Sequence, residues 1–397
     1  MQEMQPLIIS TGQPADGENK FFPRDKIIKK IWDKLERGED ILLTAPRRVG
    51  KSSILHYIKK NPHEGYIVKY LSVMGIDDAN LFFKQIYTTL LENDEIYGLT
   101  RNYFEKSKTN IKDLIKRLRS FGIDGIELDG KEHIVYYEEI IKLLKSLPKE
   151  TKKVVFLFDE FPEVVSNIAR HNKNDAIKFL QDTRDLRQLN HDADIQFVIT
   201  GSIGLKQVVR QLTNDSNLTN DLTSIEIPPL NNEEASHLID RVCLGLKEQK
   251  YPELIFPKDV KSYLFKKVAQ NIPYYLMMIV DKLSEDIDEP KTVTKDDIDA
   301  TIDRIIKSQA SDYFSNWKER LTDAFEEKER KVAIEILSLI SKENSINYDK
   351  MKKINNQIDL KAIIEILEYD GYISEQNGAY SFLSPLLKAW WRYRVAE

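Results

Sequence analysis

An apolar run that feeds a basic, glycine-containing loop constrains this chain more than any other stretch. Asp40-Ile-Leu-Leu-Thr is followed by Ala45-Pro46-Arg47-Arg48-Val49-Gly50-Lys51-Ser52-Ser53, with a helical period beginning at Lys51. A short, continuous apolar run is the signature of a strand buried on both faces. The loop fits G-x-x-x-x-G-K-[ST], with Ala45 at the first glycine position. Such a loop needs a strand before it and a helix N-terminus after it, so that loop amides and the helix dipole face an anion. Gly50 lets the backbone approach closely, Lys51 reaches the outer phosphates of a nucleotide such as ATP, and Ser52 offers a hydroxyl to Mg2+. The tripeptide alone is a weak signal, because average composition produces it in roughly one of several chains of this size. Its place between a strand and a helix gives it weight.

The second half of the pattern comes about 100 residues later. Val154-Val155-Phe156-Leu157-Phe158 reads as a buried strand, and it ends in adjacent carboxylates, Asp159 and Glu160. In phosphoryl transfer the first would hold Mg2+ through water, and the second would polarise the attacking water. The next strand ends Thr200-Gly201-Ser202. Ser202, with Thr200 as second choice, is a candidate to contact the γ-phosphate or the lytic water; the alternative is a helix N-cap ahead of Leu205.

Around these sites the periodicity reads as α/β. Strands are expected over Asp40–Thr44, Tyr66–Val73, Lys153–Asp159, Ile195–Gly201 and Ser224–Ile227, separated by helices near 25–37, from Lys51 onward, and near 77–95, 103–120 and 131–147. Short apolar strands alternating with helices predict a parallel sheet. The expected organisation is a flexible leader (1–20), a P-loop core (21–230) with a helical insertion at about 97–147, an all-helical lid and linker helix (231–320), and a last domain (321–397). Within the lid region, 286–295 reads as a polar linker. The last domain reads as three helices and a hairpin turning at Asn377-Gly378, the outline of a winged helix.

Composition closes off other classes. The 397 residues carry 59 Lys+Arg against 64 Asp+Glu, a net charge of −5, unlike a histone or ribosomal type of chain. Cys243 is the one cysteine, which excludes an intramolecular disulfide and cysteine-based zinc sites; it reads as a small core residue. No run of about 18 apolar residues exists to span a membrane, and no signal peptide is visible, so a cytoplasmic location is expected.

Taken as a set, these residues resemble the AAA+ superfamily, more narrowly its archaeal-type ATPase and STAND-related branch. Phe22-Pro23-Arg24-Asp25 resembles the F-x-G-R-[ED] box of that branch, with Pro23 in place of glycine. Ala45–Ser53 resembles its [GA]-P-R-R-x-G-K-[ST]-[ST] loop, and Phe158-Asp159-Glu160-Phe161-Pro162-Glu163 its Walker B extension. Thr200-Gly201-Ser202 resembles its sensor strand, and Ile227-Pro228-Pro229-Leu230 with Glu233-Glu234-Ala235 the start of its helical lid. The match covers about 20–285. It implies Mg2+-dependent ATP binding at Arg24, Ala45–Ser53 and Pro273, with Glu160, Lys51 and Ser202 catalytic and Ser52 and Asp159 holding the metal. One departure stands in the lid, where Gln270-Asn271-Ile272-Pro273-Tyr274-Tyr275 keeps the proline of a G-G-x-P segment but offers no arginine as a second sensor.

The resemblance implies a slow or partner-stimulated ATPase that works as a nucleotide-dependent switch, coupling lid and winged helix to a protein partner or to self-association. The alternative is a DNA-binding ATPase of the initiator or transposition-regulator kind, and a third reading is a module in which ATP is structural. DNA contact would fall to the basic stretch containing Lys106, Lys112, Lys116 and Arg117, or to Lys352 and Lys353. Against the DNA reading, basic and acidic side chains balance over 331–397. Arg184, Arg187 and Arg210 are candidates for an arginine finger, each set against a solvated helix face. Arg47 and Arg48 place two charges inside the loop, where they repel unless an anion or carboxylate is near. Trp390-Trp391-Arg392-Tyr393-Arg394 reads as closing the core of the last domain.

Overall fold

Five short strands lie side by side as one parallel sheet: β1 (Asp40–Thr44), β2 (Tyr66–Ser72), β3 (Lys153–Asp159), β4 (Ile195–Thr200) and β5 (Leu222–Glu226), in the order β2-β3-β4-β1-β5. The computed structural model describes residues 5–9, 15, 17, 19–92, 135–145, 152–188, 195–201, 204–213, 217–308, 314–355 and 358–396. The expected helix over 103–120 lies outside them. β3 and β4 are buried almost along their length because helices cover both faces of a parallel sheet. β4 is inserted between the strand that feeds the 45–53 loop and the strand that ends in Asp159.

The described residues form two compact units. One comprises Arg24–Thr44 and Ile54–Glu226 and contains the sheet. Its first helix, α1 (Asp25–Glu36), buries Ile28, Ile31, Trp32 and Leu35 at the three- and four-residue spacing of one helix face. Its core is rich in phenylalanine: the Phe82 ring lies 5.1 Å from Phe158, 5.6 Å from Phe161 and 5.0 Å from Phe179. Each such ring pair adds about 0.5–1.5 kcal/mol beyond the area it buries.

The other unit comprises Met1–Pro23, Ala45–Ser53 and Ile227–Glu397. Asn231 and Glu234 form a reciprocal capping box that starts α8 (Asn232–Glu248). Pro273, in the first helical turn where it loses no hydrogen bond, starts α10 (Pro273–Ser284). The stretch expected as a polar linker holds a short strand: Lys291–Thr292 pairs in parallel with Leu254–Ile255. It then runs into a second capping box, Thr294 with Asp297, that starts α11 (Lys295–Lys307). A two-residue strand buries too little to leave a periodic signal, which is why the sequence reads as helix and linker there.

Toward the carboxyl end come α12 (Ser315–Ala324), α13 (Glu327–Glu343), a short helix at Tyr348–Lys352, a helix at Leu360–Tyr369 and α16 (Pro385–Arg394). Ile373–Gln376 pairs with Ala379–Phe382 across a turn in which Asn377 and Gly378 both have positive φ, 53° and 78°. That is the two-residue hairpin geometry the Asn-Gly pair prefers. Ile346–Asn347 completes a three-stranded sheet. Trp390 and Trp391 lie in the core of this region, the Trp391 indole donating to Ser338 Oγ at 3.2 Å.

The leader, expected to be flexible, is anchored at several of its described residues, Gln5, Leu7 and Ala15 among them. Leu7 is fully buried, and its amide donates to the Arg241 carbonyl at 2.8 Å. Among the described residues no helix is long and apolar enough to cross a membrane.

Candidate functional site

The strand register places one group of the residues singled out in the sequence. Leu43 is level with Thr200, Phe158 with Ile199, and Ser72 with Asp159, so Thr44, Asp159 and Thr200 gather at the carboxyl edge of the sheet. Ligands of open parallel sheets bind at this edge. Asp159 is 6% exposed, and its Oδ2 accepts a hydrogen bond from the Tyr70 hydroxyl at 3.1 Å. The Tyr70 ring is bounded by His56, 4.4 Å between centroids, and by the Lys59 ammonium at 5.7 Å. Burial, followed by the charge of Asp159, pushes the Tyr70 phenol well above its ordinary value, so it remains a donor at physiological pH.

Glu160 follows with φ 62° and precedes α5 (Phe161–His171). A non-glycine residue in the left-handed region costs about 1–2 kcal/mol. Strain of that kind gathers where function requires a particular side-chain direction. Glu160 is half-buried at the strand end, apart from the apolar layer that holds Phe158 and Phe161. Thr200 is fully buried, and its hydroxyl has no hydrogen-bond partner among the described residues. Ser202 lies outside the described residues.

The loop leaving β1 carries a second group of the residues singled out in the sequence. Arg48 and Gly50 have φ of 65° and 106°. Left-handed residues of this kind turn neighbouring amides toward one side and form an anion-binding concavity. Gly50 owes its place to this φ rather than to crowding, since an added Cβ would meet nothing closer than Ser53 Cβ at 4.0 Å. Val49 is buried beneath the loop, and Ala45, Pro46, Ser52 and Ser53 are half-buried. Lys51 opens α2 (Lys51–Lys60), and its Nζ donates to the carbonyls of Ala45 at 3.1 Å and Pro46 at 3.4 Å. Ser53 Oγ accepts from the Ala15 amide at 3.0 Å.

The two loop arginines find aromatic rings. The Arg47 guanidinium lies 5.9 Å from the Trp317 ring centre, and that of Arg48 lies 4.5 Å from the Tyr274 ring centre. A planar, weakly hydrated guanidinium stacks on such faces more readily than an ammonium does.

Other residues singled out in the sequence fall in varied places. Arg24 caps α1 and is 7% exposed. Pro273 lies immediately before Tyr274, the residue under Arg48. Arg187 is a correction. It is neither a finger nor a solvated residue but 5% exposed, with Nε donating to Asp221 at 2.5 Å and a terminal nitrogen donating to the Leu218 carbonyl at 2.9 Å. Its helix, α6 (Lys173–Gln188), turns this residue inward, where burial demands a carboxylate partner. Arg184 is half-buried on the same helix, and Arg210 is exposed on α7 (Leu205–Thr213). Lys352 and Lys353 are exposed, Lys352 lying 5.0 Å over the Tyr348 ring. Lys106, Lys112, Lys116 and Arg117 lie outside the described residues. Sequence reasoning missed Tyr70, Tyr274 as a ring for Arg48, and Trp317. Tyr274 at least sits inside the lid segment already singled out.

Comparison with known proteins agrees with this geometry at the level of fold. No family model matches the sequence, and no curated protein matches it. Among solved structures, a Walker-type ATPase of Pyrococcus abyssi superposes with a TM-score of 0.60 at 16% identity, covering 96% of this chain and 98% of that one. The ORC2 protein of Aeropyrum pernix, in ADPNP-ADP complexes, superposes with a TM-score of 0.54 at 12% identity, covering 96% of this chain and 93% of that one. This chain therefore shares the fold of these two proteins.

Proposed function

We propose that the chain binds Mg·ATP on the loop 45–53 and hydrolyses it slowly, acting as a nucleotide-dependent switch. The observation that carries this reading is the strand arrangement. β1 feeds the loop, β4 lies beside it, and β3 ends in buried Asp159 followed by Glu160 held left-handed. In this reading the amides of the loop and the Lys51 ammonium bind the phosphates, and Arg24 and Pro273 line the nucleotide. The Ser52 hydroxyl and the Asp159 carboxylate are hard oxygen donors that fit Mg2+, which would neutralise charge on the phosphates. Glu160 accepts the proton of the attacking water, and Thr200, or Ser202 beyond it, donates toward the γ-phosphate.

The order of elements after Glu326, with three helices, a three-stranded sheet closed by a hairpin and a fourth helix after it, supports reading the last part as a winged helix. Basic and acidic residues balance over 331–397, which favours docking to a protein, or to a second copy, over reading DNA.

Steady-state phosphate release, measured with and without duplex DNA, tests the proposal. The wild-type chain should release phosphate, and Glu160→Gln should lower the rate by about 100-fold or more, the scale of a lost general base, with ATP binding retained. An unchanged rate in Glu160→Gln would sink the hydrolytic role. Stimulation by DNA that vanishes in the variant would replace the protein partner with a nucleic acid.

A further inference from the structure

The geometry points to Tyr274 and Trp317 as positioning residues that hold the phosphate loop in its anion-binding shape through Arg48 and Arg47. This deepens the nucleotide reading above and rests on it.

Arg48 has φ 65°, a conformation that an L-residue with a long side chain seldom adopts without support from outside the loop. The support visible here is the Tyr274 ring, 4.5 Å from the guanidinium carbon. Tyr274 is 7% exposed and Trp317 is 5% exposed, so both rings are fixed in packed surroundings. A cation over a desolvated aromatic face gains more than one over an exposed face.

Both rings are rooted in the same helical region. Tyr275, next to Tyr274, is fully enclosed and shares a hydrogen bond with Ser384, the cap of α16. Its ring stacks on Phe314 at 5.9 Å, and Phe314 lies 5.9 Å from Trp390. Trp317 meets Tyr372 edge-on at 4.9 Å, and the Tyr372 hydroxyl donates to the Trp317 carbonyl at 2.5 Å. A shift of the lid helix or of α12 therefore moves the rings on which the loop arginines rest. Conversely, phosphates that draw on the arginines bias those helices, which is the reciprocity any coupling between two sites must show.

Two measurements on the full chain decide the matter. The first is ATP binding by calorimetry together with steady-state KM and kcat. Tyr274→Leu removes the ring and should raise both the dissociation constant and KM about fivefold, the scale of one partly desolvated cation–π contact, with kcat little changed. Tyr274→Phe keeps the ring face and should stay within about twofold of wild type. Equal affinity in all three proteins overturns the role of Tyr274, and so does a Phe variant as weak as the Leu variant.

The second measurement uses the chain labelled with 5-fluorotryptophan, the Trp317 signal being identified by its loss in Trp317→Phe. ATP should move that signal, and Arg47→Met should abolish the movement. A Trp317 signal that stays still while ATP binds overturns the role of Trp317. Should Tyr274→Leu fail to fold, Arg48→Lys replaces it, because an ammonium loses the planar stacking and should weaken ATP comparably. Failure of the wild-type chain to bind ATP at all would defeat the nucleotide reading itself, and the wild-type titration separates that result from the others.

Discussion

The Tyr70 hydroxyl donates to Asp159 Oδ2 at 3.1 Å, tying the second strand of the sheet to the carboxylate that ends the third. Ser72 and Asp159 are in register, so Tyr70 stands two residues upstream on the neighbouring strand, on the same face. A hydrogen bond to a charged group is worth about 1.5–3 kcal/mol, and here it fixes the direction of a carboxylate proposed to hold Mg2+. Tyr70→Phe keeps the ring against His56 and deletes the donor. The Mg2+ concentration for half-maximal ATP turnover should rise about three- to tenfold, in keeping with a hydrogen bond of that size. A Mg2+ titration of phosphate release that superposes on wild type would show that Tyr70 only packs.

Arg187 belongs to stability rather than to catalysis. It is buried, and it holds Asp221 and the Leu218 carbonyl at once. Removing one partner of a buried pair leaves an uncompensated charge; because the Asp221 side chain is 22% exposed, the expected cost of Arg187→Met is reduced to about 2–4 kcal/mol. Urea unfolding should show that loss. Arg187→Met combined with Asp221→Asn should recover more than half of it, and turnover per folded molecule should remain at the wild-type level. A large fall in turnover with an unchanged urea midpoint would return Arg187 to the list of arginine fingers.

What the sequence made legible follows a physical divide. The loop over 45–53, the Asp159–Glu160 strand end and the Asn377-Gly378 turn are readable because each depends on neighbouring residues along the chain: a turn that glycine or asparagine favours, an apolar run, a helix start. Tyr70, Tyr274 and Trp317 are not. Tyr274 lies more than 220 residues from the arginine it supports, and no local pattern marks a tyrosine as the seat of a guanidinium. Arg187 was misread for the same reason, because its helix is strongly polar and Asp221 comes 34 residues later. The pair of two-residue strands was missed because pairing at that length is set by the helices that bring them together.

Cys243 gives the molecule a pH signature. Burial pushes its thiol up to about 12, with Asp240 adding to the shift and Lys261 opposing it. In the unfolded chain the thiol titrates near about 8.5, so the folded state keeps a proton that the unfolded state releases at alkaline pH. The stability from this group is fully present below about pH 8.5 and is lost as pH rises toward the folded value. The free energy of unfolding should therefore fall between pH 8.5 and 10, and Cys243→Ala should flatten that slope. At pH 8 the native thiol should react slowly with a disulfide reagent, and urea should accelerate the reaction by about 100-fold or more, since thiolate is the nucleophile. Fast native reaction at pH 8 would contradict the burial.

Gly245 should control the docking of the amino-terminal segment. It lies within α8, where a Cβ would fall 2.2 Å from the Leu7 carbonyl oxygen and 2.7 Å from its carbon. Both are backbone atoms, so nothing flexible can move aside except the segment itself. That segment is held by the Leu7 amide on the Arg241 carbonyl and by Arg241 Nε on the Gln5 carbonyl, each at 2.8 Å. Alanine favours an isolated helix by about 0.5–1 kcal/mol over glycine, so the helix itself should gain from Gly245→Ala while the docked segment is expelled. Hydrogen exchange separates the two effects. The Leu7 amide should lose its protection, amides in the middle of α8 should keep theirs, and Leu7→Ala should reproduce the first change without the steric clash. Continued protection of Leu7 in Gly245→Ala would mean that helix and segment separate by more than an ångström without parting, which contradicts the close contact that excludes a side chain there.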